Sequence, residues 1–366
     1  MLSGRLRIVA QIVGLLALLY GFFVALDLMG LAFKLFGRGF AETLIEQTAN
    51  PFVGLFVGIL ATTLVQSSST TTSMTVGLVA AGALTIEGAI PIIMGANIGT
   101  SVTNTIVSMG HVTRRVEFER AFAGATVHDL FNWLAVLVLL PIEIATGYLA
   151  KTSQIFERML EGVGGIQLLN PLRAVVRPVA EWISQILGQT GGLVLAVGVV
   201  LLILSLKFLV DLLKVVMTTQ AESLLHRTLF RSGGAAIIAG IAMTTMVQSS
   251  SITTSVVIPL IGAGVVTLEQ IFPYTIGANV GTTITAMLAA LSTGSPAAVS
   301  VAFSHLLFNI SGSLLIYLPR PVRAIPLAGA RMLGRVASQR RVLAGVYLLL
   351  FFYGLPLLLL VLTGTI

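Results

Sequence analysis

The chain of 366 residues contains no cysteine. That excludes a disulfide framework, a thiol nucleophile and a cysteine-ligated metal. Charge is also scarce: Asp, Glu, Lys and Arg make up 10% of the residues, against about a quarter in a soluble domain. So few charges cannot clothe a water-facing surface, while 56% of the residues are hydrophobic. The apolar residues do not alternate with polar ones, which excludes a membrane β-barrel. They form continuous runs at 8–30, 121–149, 191–216, 296–318 and 343–362, each near the roughly 20 residues that cross a bilayer as a helix. Helices satisfy their own backbone in lipid, so the expected fold is an all-α polytopic membrane protein.

The formal charge of +7 does not imply a nucleic-acid partner. The basic residues lie in short loops between apolar runs, as the positive-inside rule requires, and the expected partner is the lipid bilayer. Residues 320–341 hold six arginines and no acid, which places that segment in the cytoplasm. Arg5 and Arg7 place the N-terminus there too, and no cleavage signature follows the first run, so it reads as a retained helix rather than a removed signal peptide.

Against this apolar background stands "LVQSSSTTTS" at 64–73, with a twin, "MVQSSSITTS", at 246–255. An offset of 182 residues also places Gly58 on Gly240, Thr62 on Thr244, Gly82 on Gly264, Glu87 on Glu269 and Pro91 on Pro273. It places "GANIGTSVT" at 95–103 on "GANVGTTIT" at 277–285. "HDLFN" at 128–132 then matches "HLLFN" at 305–309 at an offset of 177. The chain is therefore a duplication, and internal repeats in a membrane protein point to a transporter with its site at the repeat interface.

Residues 51–66 and 69–84 are each too short to span comfortably, so they read as a re-entrant helical hairpin with "QSSS" at its tip. Counting crossings from a cytoplasmic N-terminus, the second hairpin enters from the opposite face, which makes the repeats inverted. The expected organisation is an N-terminal helix and outer loop (1–50), repeat 1 (51–149), a connector with an amphipathic segment and a transmembrane helix (150–232), repeat 2 (233–318), and a basic segment with a last transmembrane helix (319–366).

A helix N-terminus offers unpaired N–H groups to an anion, and hydroxyls add donors. Ser68 or Ser69, and Ser250 or Ser251, are expected to cap the outgoing arms, giving two positive helix ends that suit a tetrahedral oxyanion. Carbonyls and hydroxyls at close quarters also suit a hard monovalent cation. The alternative is that these residues merely pack helices and bond back to their own turns. The "GAN" runs invite two readings as well: a broken helix lending oxygens to ions, with Asn97, Asn104 and Asn279 as amides, or a close helix interface. Asp129 is an intramembrane carboxylate and hence an ion-pathway candidate, without a counterpart at Leu306. An "HD" pair also occurs in phosphohydrolase metal sites, but the further His and Asp ligands are missing here. No base stands beside either "QSSS", so an enzyme is not expected.

These motifs, with "RAFAGATVHDLFNWLAVLVLLPIEIATGYL" and "PLIGAGVVTLEQIFPYTIGANVGTTITAMLAAL", closely resemble the type II sodium-dependent phosphate cotransporters, and the chain looks like a compact bacterial member. The likeness runs from about residue 54 to 347 and is weakest over 150–235. It implies sodium-driven uptake of inorganic phosphate across the cytoplasmic membrane, with sodium as the only metal and no organic cofactor. Phosphate would sit at Gln66, Ser67, Ser68, Ser69, Gln248, Ser249, Ser250 and Ser251, with Asn97 and Asn279. Sodium would draw on Thr100, Thr105, Asp129, Asn132, Thr282 and Thr285. Asp129 matches the aspartate of electrogenic members. The sequence departs from the family at His111 and Arg114, where Gln and Asp are expected, and at Ala278, where a serine is. Hydroxyl-lined tips alone would also suit sulfate or arsenate, and a homodimer is an assembly the sequence leaves open.

Overall fold

The computed structural model describes residues 4–162, 170–228 and 232–364. Among these residues seven helices are long and apolar enough to cross a bilayer: Val9–Phe36, Ile86–Met109, Arg115–Thr146, Gly191–Leu212, Leu268–Thr293, Pro296–Tyr317 and Arg341–Leu362. All five apolar runs fall on them.

The first helix, α1 (Gly4–Phe36), is followed not by the expected loop but by a short helix, α2 (Arg38–Thr48). Its successor α3 (Pro51–Val65) turns away by 99°. Two local signals set that corner: the Asn50 side chain accepts the Phe52 N–H, and Pro51 opens the new helix, where its missing N–H costs nothing. The outgoing arm is α4 (Ser68–Ala80), and Thr62 donates its hydroxyl to Thr71 at 2.9 Å across the tip. The second copy repeats the plan with α11 (Gly233–Val247) and an outgoing arm interrupted at Val256–Val257 into α12 (Ser250–Ser255) and α13 (Ile258–Gly262).

Between the copies run α5 (Ile86–Thr100), α6 (Val102–Met109), α7 (Arg115–Thr146), α8 (Tyr148–Gly162), α9 (Asn170–Ile186) and α10 (Gly191–Thr228). The expected connector is thus largely helical; its residues 163–169 and 229–231 lie outside the described residues. In α9, Val176 and Ala180 are buried while Val175 and Trp182 face outward, as an amphipathic segment requires. After the second hairpin come α14 (Leu268–Thr293), α15 (Pro296–Gly312), α16 (Arg320–Gln339), α17 (Arg341–Leu349) and α18 (Leu355–Leu362). π-helical turns at Ser313–Tyr317 and Leu350–Gly354 link α15 onward and join α17 to α18.

The helix expected to be broken in each copy is interrupted only in the first, at Ser101 between α5 and α6; its counterpart α14 is continuous. The glycines of the "GAN" runs serve contact instead. A Cβ on Gly58 would overlap the Ile92 carbonyl, and one on Gly95 the Leu55 carbonyl. In the second copy Gly240 lies on the Tyr274 carbonyl and Gly277 on that of Ile237. The incoming arm of each hairpin therefore lies backbone to backbone on the helix that follows it, α3 on α5 and α11 on α14. Small residues are what permit such approach between membrane helices.

Candidate functional site

Each hairpin tip is one residue in the left-handed conformation, Gln66 and Gln248, both with φ of 55°. That reverses the chain so quickly that the next residue is already the N-cap. Ser67 accepts the Thr70 N–H and Ser249 the Ile252 N–H. The caps thus precede the expected pairs Ser68/Ser69 and Ser250/Ser251, which become the first residues of α4 and α12. All four of these serines are buried, whereas Gln66 is exposed.

The two tips meet. The Ser69 hydroxyl donates to the Gln248 carbonyl at 3.3 Å. The Gln248 side-chain oxygen accepts from Thr285 at 2.7 Å, and its amide returns to the Thr245 carbonyl. Of the expected sodium residues, Thr285 alone is brought onto a tip by a hydrogen bond. Thr100, Thr105 and Thr282 donate to Ala96, Ser101 and Ala278 of their own helices. Such a bond uses the hydroxyl hydrogen and leaves oxygen lone pairs for a cation.

Asn97 and Asn279, expected at the phosphate, are held in two crossed bridges. His128 Nε2 lies 2.7 Å from Asn279 Oδ1, and Asn279 Nδ2 donates to Asn132 Oδ1 at 2.7 Å. In the other direction His305 Nε2 lies 3.3 Å from Asn97 Oδ1, and Asn97 Nδ2 donates to Asn309 Oδ1 at 3.2 Å. The His-x-x-x-Asn motif of each repeat therefore grips the "GAN" asparagine of the other. Asn132 also donates to the Asn97 carbonyl at 2.8 Å, tying the bridges together. All six side chains are buried.

The first bridge is continued further. Asn104 Nδ2 lies 3.4 Å from His128 Nδ1, and Thr254 donates to Asn104 Oδ1 at 2.9 Å. Because Asn279 Oδ1 is an acceptor, His128 carries its hydrogen on Nε2 and accepts at Nδ1. In the second bridge the residue matching Asn104 is Ala286, and His305 Nδ1 is buried with no partner.

Asp129 is fully buried and accepts from Ser101 at 3.1 Å and from the Tyr347 hydroxyl of α17. Tyr347 is a residue that no sequence signal reveals, because α17 has no counterpart in the repeats. His305 and Asn309 carried a signal, the matching "HLLFN", that pointed to a repeat rather than to a bond. The departures at His111 and Arg114 lie away from Asp129: both pair with Glu117, at 3.3 and 3.1 Å. Among the described residues no cluster of three His, Asp or Glu could hold a metal, so cations here would rely on neutral oxygens and Asp129.

The family described as Na+/Pi-cotransporter matches residues 21–166 and 201–320. Sodium-dependent phosphate transport protein 2B of Pongo abelii is 37% identical over 97% of this chain and 66% of its own length. The human 2B protein is 36% identical over 95% of this chain and 64% of its own. For protein 2A of Ovis aries the figures are 38%, 93% and 66%. The chain thus spans just under two thirds of the length of these relatives. No solved structure matches. With most of its length, both "QSSS" segments and both "GAN" runs inside the matched region, the chain belongs to the Na+/Pi-cotransporter family.

Proposed function

We propose that this protein is a secondary active transporter, not an enzyme, that couples uptake of inorganic phosphate to inward movement of sodium. The observation that carries the reading is the meeting of the two "QSSS" tips at Ser69 and Gln248, in a chain whose relatives are named as sodium-dependent phosphate transport proteins. Phosphate is bound between the tips by Ser67, Ser68 and Ser69 with Ser249, Ser250 and Ser251, and by the N–H groups that open α4. Gln66 and Gln248 flank it. Asn97 and Asn279 act by holding the frame. Sodium is held by Thr285, Thr282, Thr100, Thr105, Asn132 and Asp129.

The physical logic is charge. Phosphate near pH 7 carries between one and two negative charges and is too costly to desolvate alone. Co-bound sodium neutralises it, so the filled site crosses while a half-filled one is penalised, and that penalty is the coupling. Asp129 adds a fixed negative charge inside the membrane, which makes the cycle electrogenic.

The repeats are inverted in the membrane, with the N-terminus and 320–341 on the cytoplasmic side. Two contacts support this. α13 ends against His111 in the loop after α6, so the second hairpin's base lies where α6 ends. Ala80, ending α4, and Ser292, ending α14, line one cavity, so the first hairpin's base lies where α14 ends.

The test is reconstitution into proteoliposomes with an inward sodium gradient. Phosphate should accumulate with a net inward current. Equal uptake with potassium replacing sodium, or sulfate accumulating as fast as phosphate, would overturn the reading.

A further inference from the structure

The two hairpins are alike in backbone but not in how their hydroxyls are satisfied. In the first, Thr62 donates to Thr71 at 2.9 Å. The offset of 182 places Thr244 and Thr253 at the same two positions of the second hairpin. Both are buried, at 1% and 2% exposure. Neither hydroxyl has a hydrogen-bond partner.

The rotamer of the incoming threonine is the same in both copies. A Cβ on Gly99 would lie 2.7 Å from Thr62 Cβ and 3.1 Å from its Cγ2; a Cβ on Gly281 would lie 2.7 and 3.2 Å from the same atoms of Thr244. With the methyl on the glycine side in each, the Thr244 hydroxyl is aimed across the hairpin as Thr62's is. The outgoing arm makes the difference. Thr71's carbonyl accepts from Thr75, one turn on in its own helix. At the matching positions Val257 replaces Thr75 and Tyr274 replaces Ile92, and the Tyr274 hydroxyl takes the Thr253 carbonyl instead, at 3.2 Å. The second arm is thus tied to α14, and its threonine pair is left open.

Two buried, unpartnered hydroxyls at the positions where the first hairpin closes its Thr62–Thr71 bond call for an occupant. They lie at the last turn of α11, where the Gln248 backbone N–H and side-chain amide take the Thr244 and Thr245 carbonyls and the helix C-terminus carries partial negative charge. Oxygens of this kind, without an acid, suit a hard monovalent cation. We propose that Thr244 and Thr253 form a sodium site under the second tip, for which the closed Thr62–Thr71 pair is the unoccupied twin. It deepens the sodium-coupled reading above by assigning cation ligands outside the set given there.

Thermal unfolding of the purified full chain tests it, with sodium chloride titrated against choline chloride at constant ionic strength. Sodium should raise the midpoint of the wild-type protein. Thr244→Val and Thr253→Val, which keep the shape and remove the hydroxyl, should each raise the sodium concentration for half of that rise about tenfold or abolish the rise. Thr244→Ser and Thr253→Ser should restore it, and Thr62→Val or Thr71→Val should leave it unmoved. A wild-type protein indifferent to sodium, as expected if the pair holds only water, or valine variants with unchanged sodium dependence, would overturn the site. Uptake in proteoliposomes separates the two ideas. Sodium-driven uptake with unchanged valine variants removes this site alone; sodium stabilisation lost in the valine variants, in a protein without sodium-driven uptake, removes the transport reading and keeps the site.

Discussion

His128 and Asn279, 151 residues apart in the chain, lie 2.7 Å from each other in the buried interior. His305 and Asn97 repeat the relationship in the opposite sense at 3.3 Å. Each asparagine is held by the other repeat, so neither copy completes its own polar core.

The shorter bridge should be the stronger. A double-mutant cycle with His128→Ala and Asn279→Ala, followed by thermal unfolding in detergent, should give a coupling near the upper end of membrane hydrogen bonds, about 1.5 kcal/mol. The His305–Asn97 cycle should give about a third of that. Equal couplings would mean that the difference in length carries no energy.

The unpartnered His305 Nδ1 predicts a gain. Ala286→Asn supplies the amide that Asn104 supplies to His128, and should stabilise the protein by about 1 kcal/mol. Ala286→Val adds similar bulk without the amide and should stabilise nothing. If both variants lose stability alike, the pocket around Ala286 has no room and the orphaned nitrogen is tolerated for packing.

At Gly58, Gly95, Gly240 and Gly277 the neighbour is backbone, which cannot step aside. Each changed to alanine should cost about 3 kcal/mol or more, read as lost monodisperse protein in size-exclusion chromatography. Gly345→Ala, with nothing within 4 Å of the added carbon, should be neutral.

For the tips, Ser68→Ala or Ser250→Ala should abolish sodium-driven phosphate uptake while yield and melting temperature stay near wild type. Normal uptake in either variant would remove the serines from the anion site.

Asp129→Ser should lower the charge moved per phosphate by one, measured as the ratio of current to tracer uptake in proteoliposomes. Tyr347→Phe keeps the carboxylate and should leave that ratio unchanged while altering its sodium dependence. An unchanged ratio in Asp129→Ser would show that this carboxylate takes no part in charge movement.

Much of this was legible in the sequence because duplication writes the same signals twice. The hairpins, the tips and the helix-length runs follow from local apolarity and from the offset of 182 residues. The caps lay one residue from expectation because glutamine in a left-handed conformation has no sequence signature of its own. The "GAN" glycines could be read as weak points of a helix or as a packing seam, and only the facing carbonyls of Leu55, Ile92, Ile237 and Tyr274 decide for the seam. Asn97 and Asn279 were recognisable as buried amides, but their partners lie 147 to 212 residues away. Tyr347 was out of reach for a related reason: a single hydroxyl from an unrepeated helix has no second copy to announce it.

The flush seams between α3 and α5 and between α11 and α14 have one more consequence. Surfaces joined carbonyl to glycine cannot creep past each other, since any shift drives a side chain into a peptide group. Each "QSSS" tip is therefore fixed through its incoming arm to the helix that follows the hairpin, so a tip and that helix form one stiff unit.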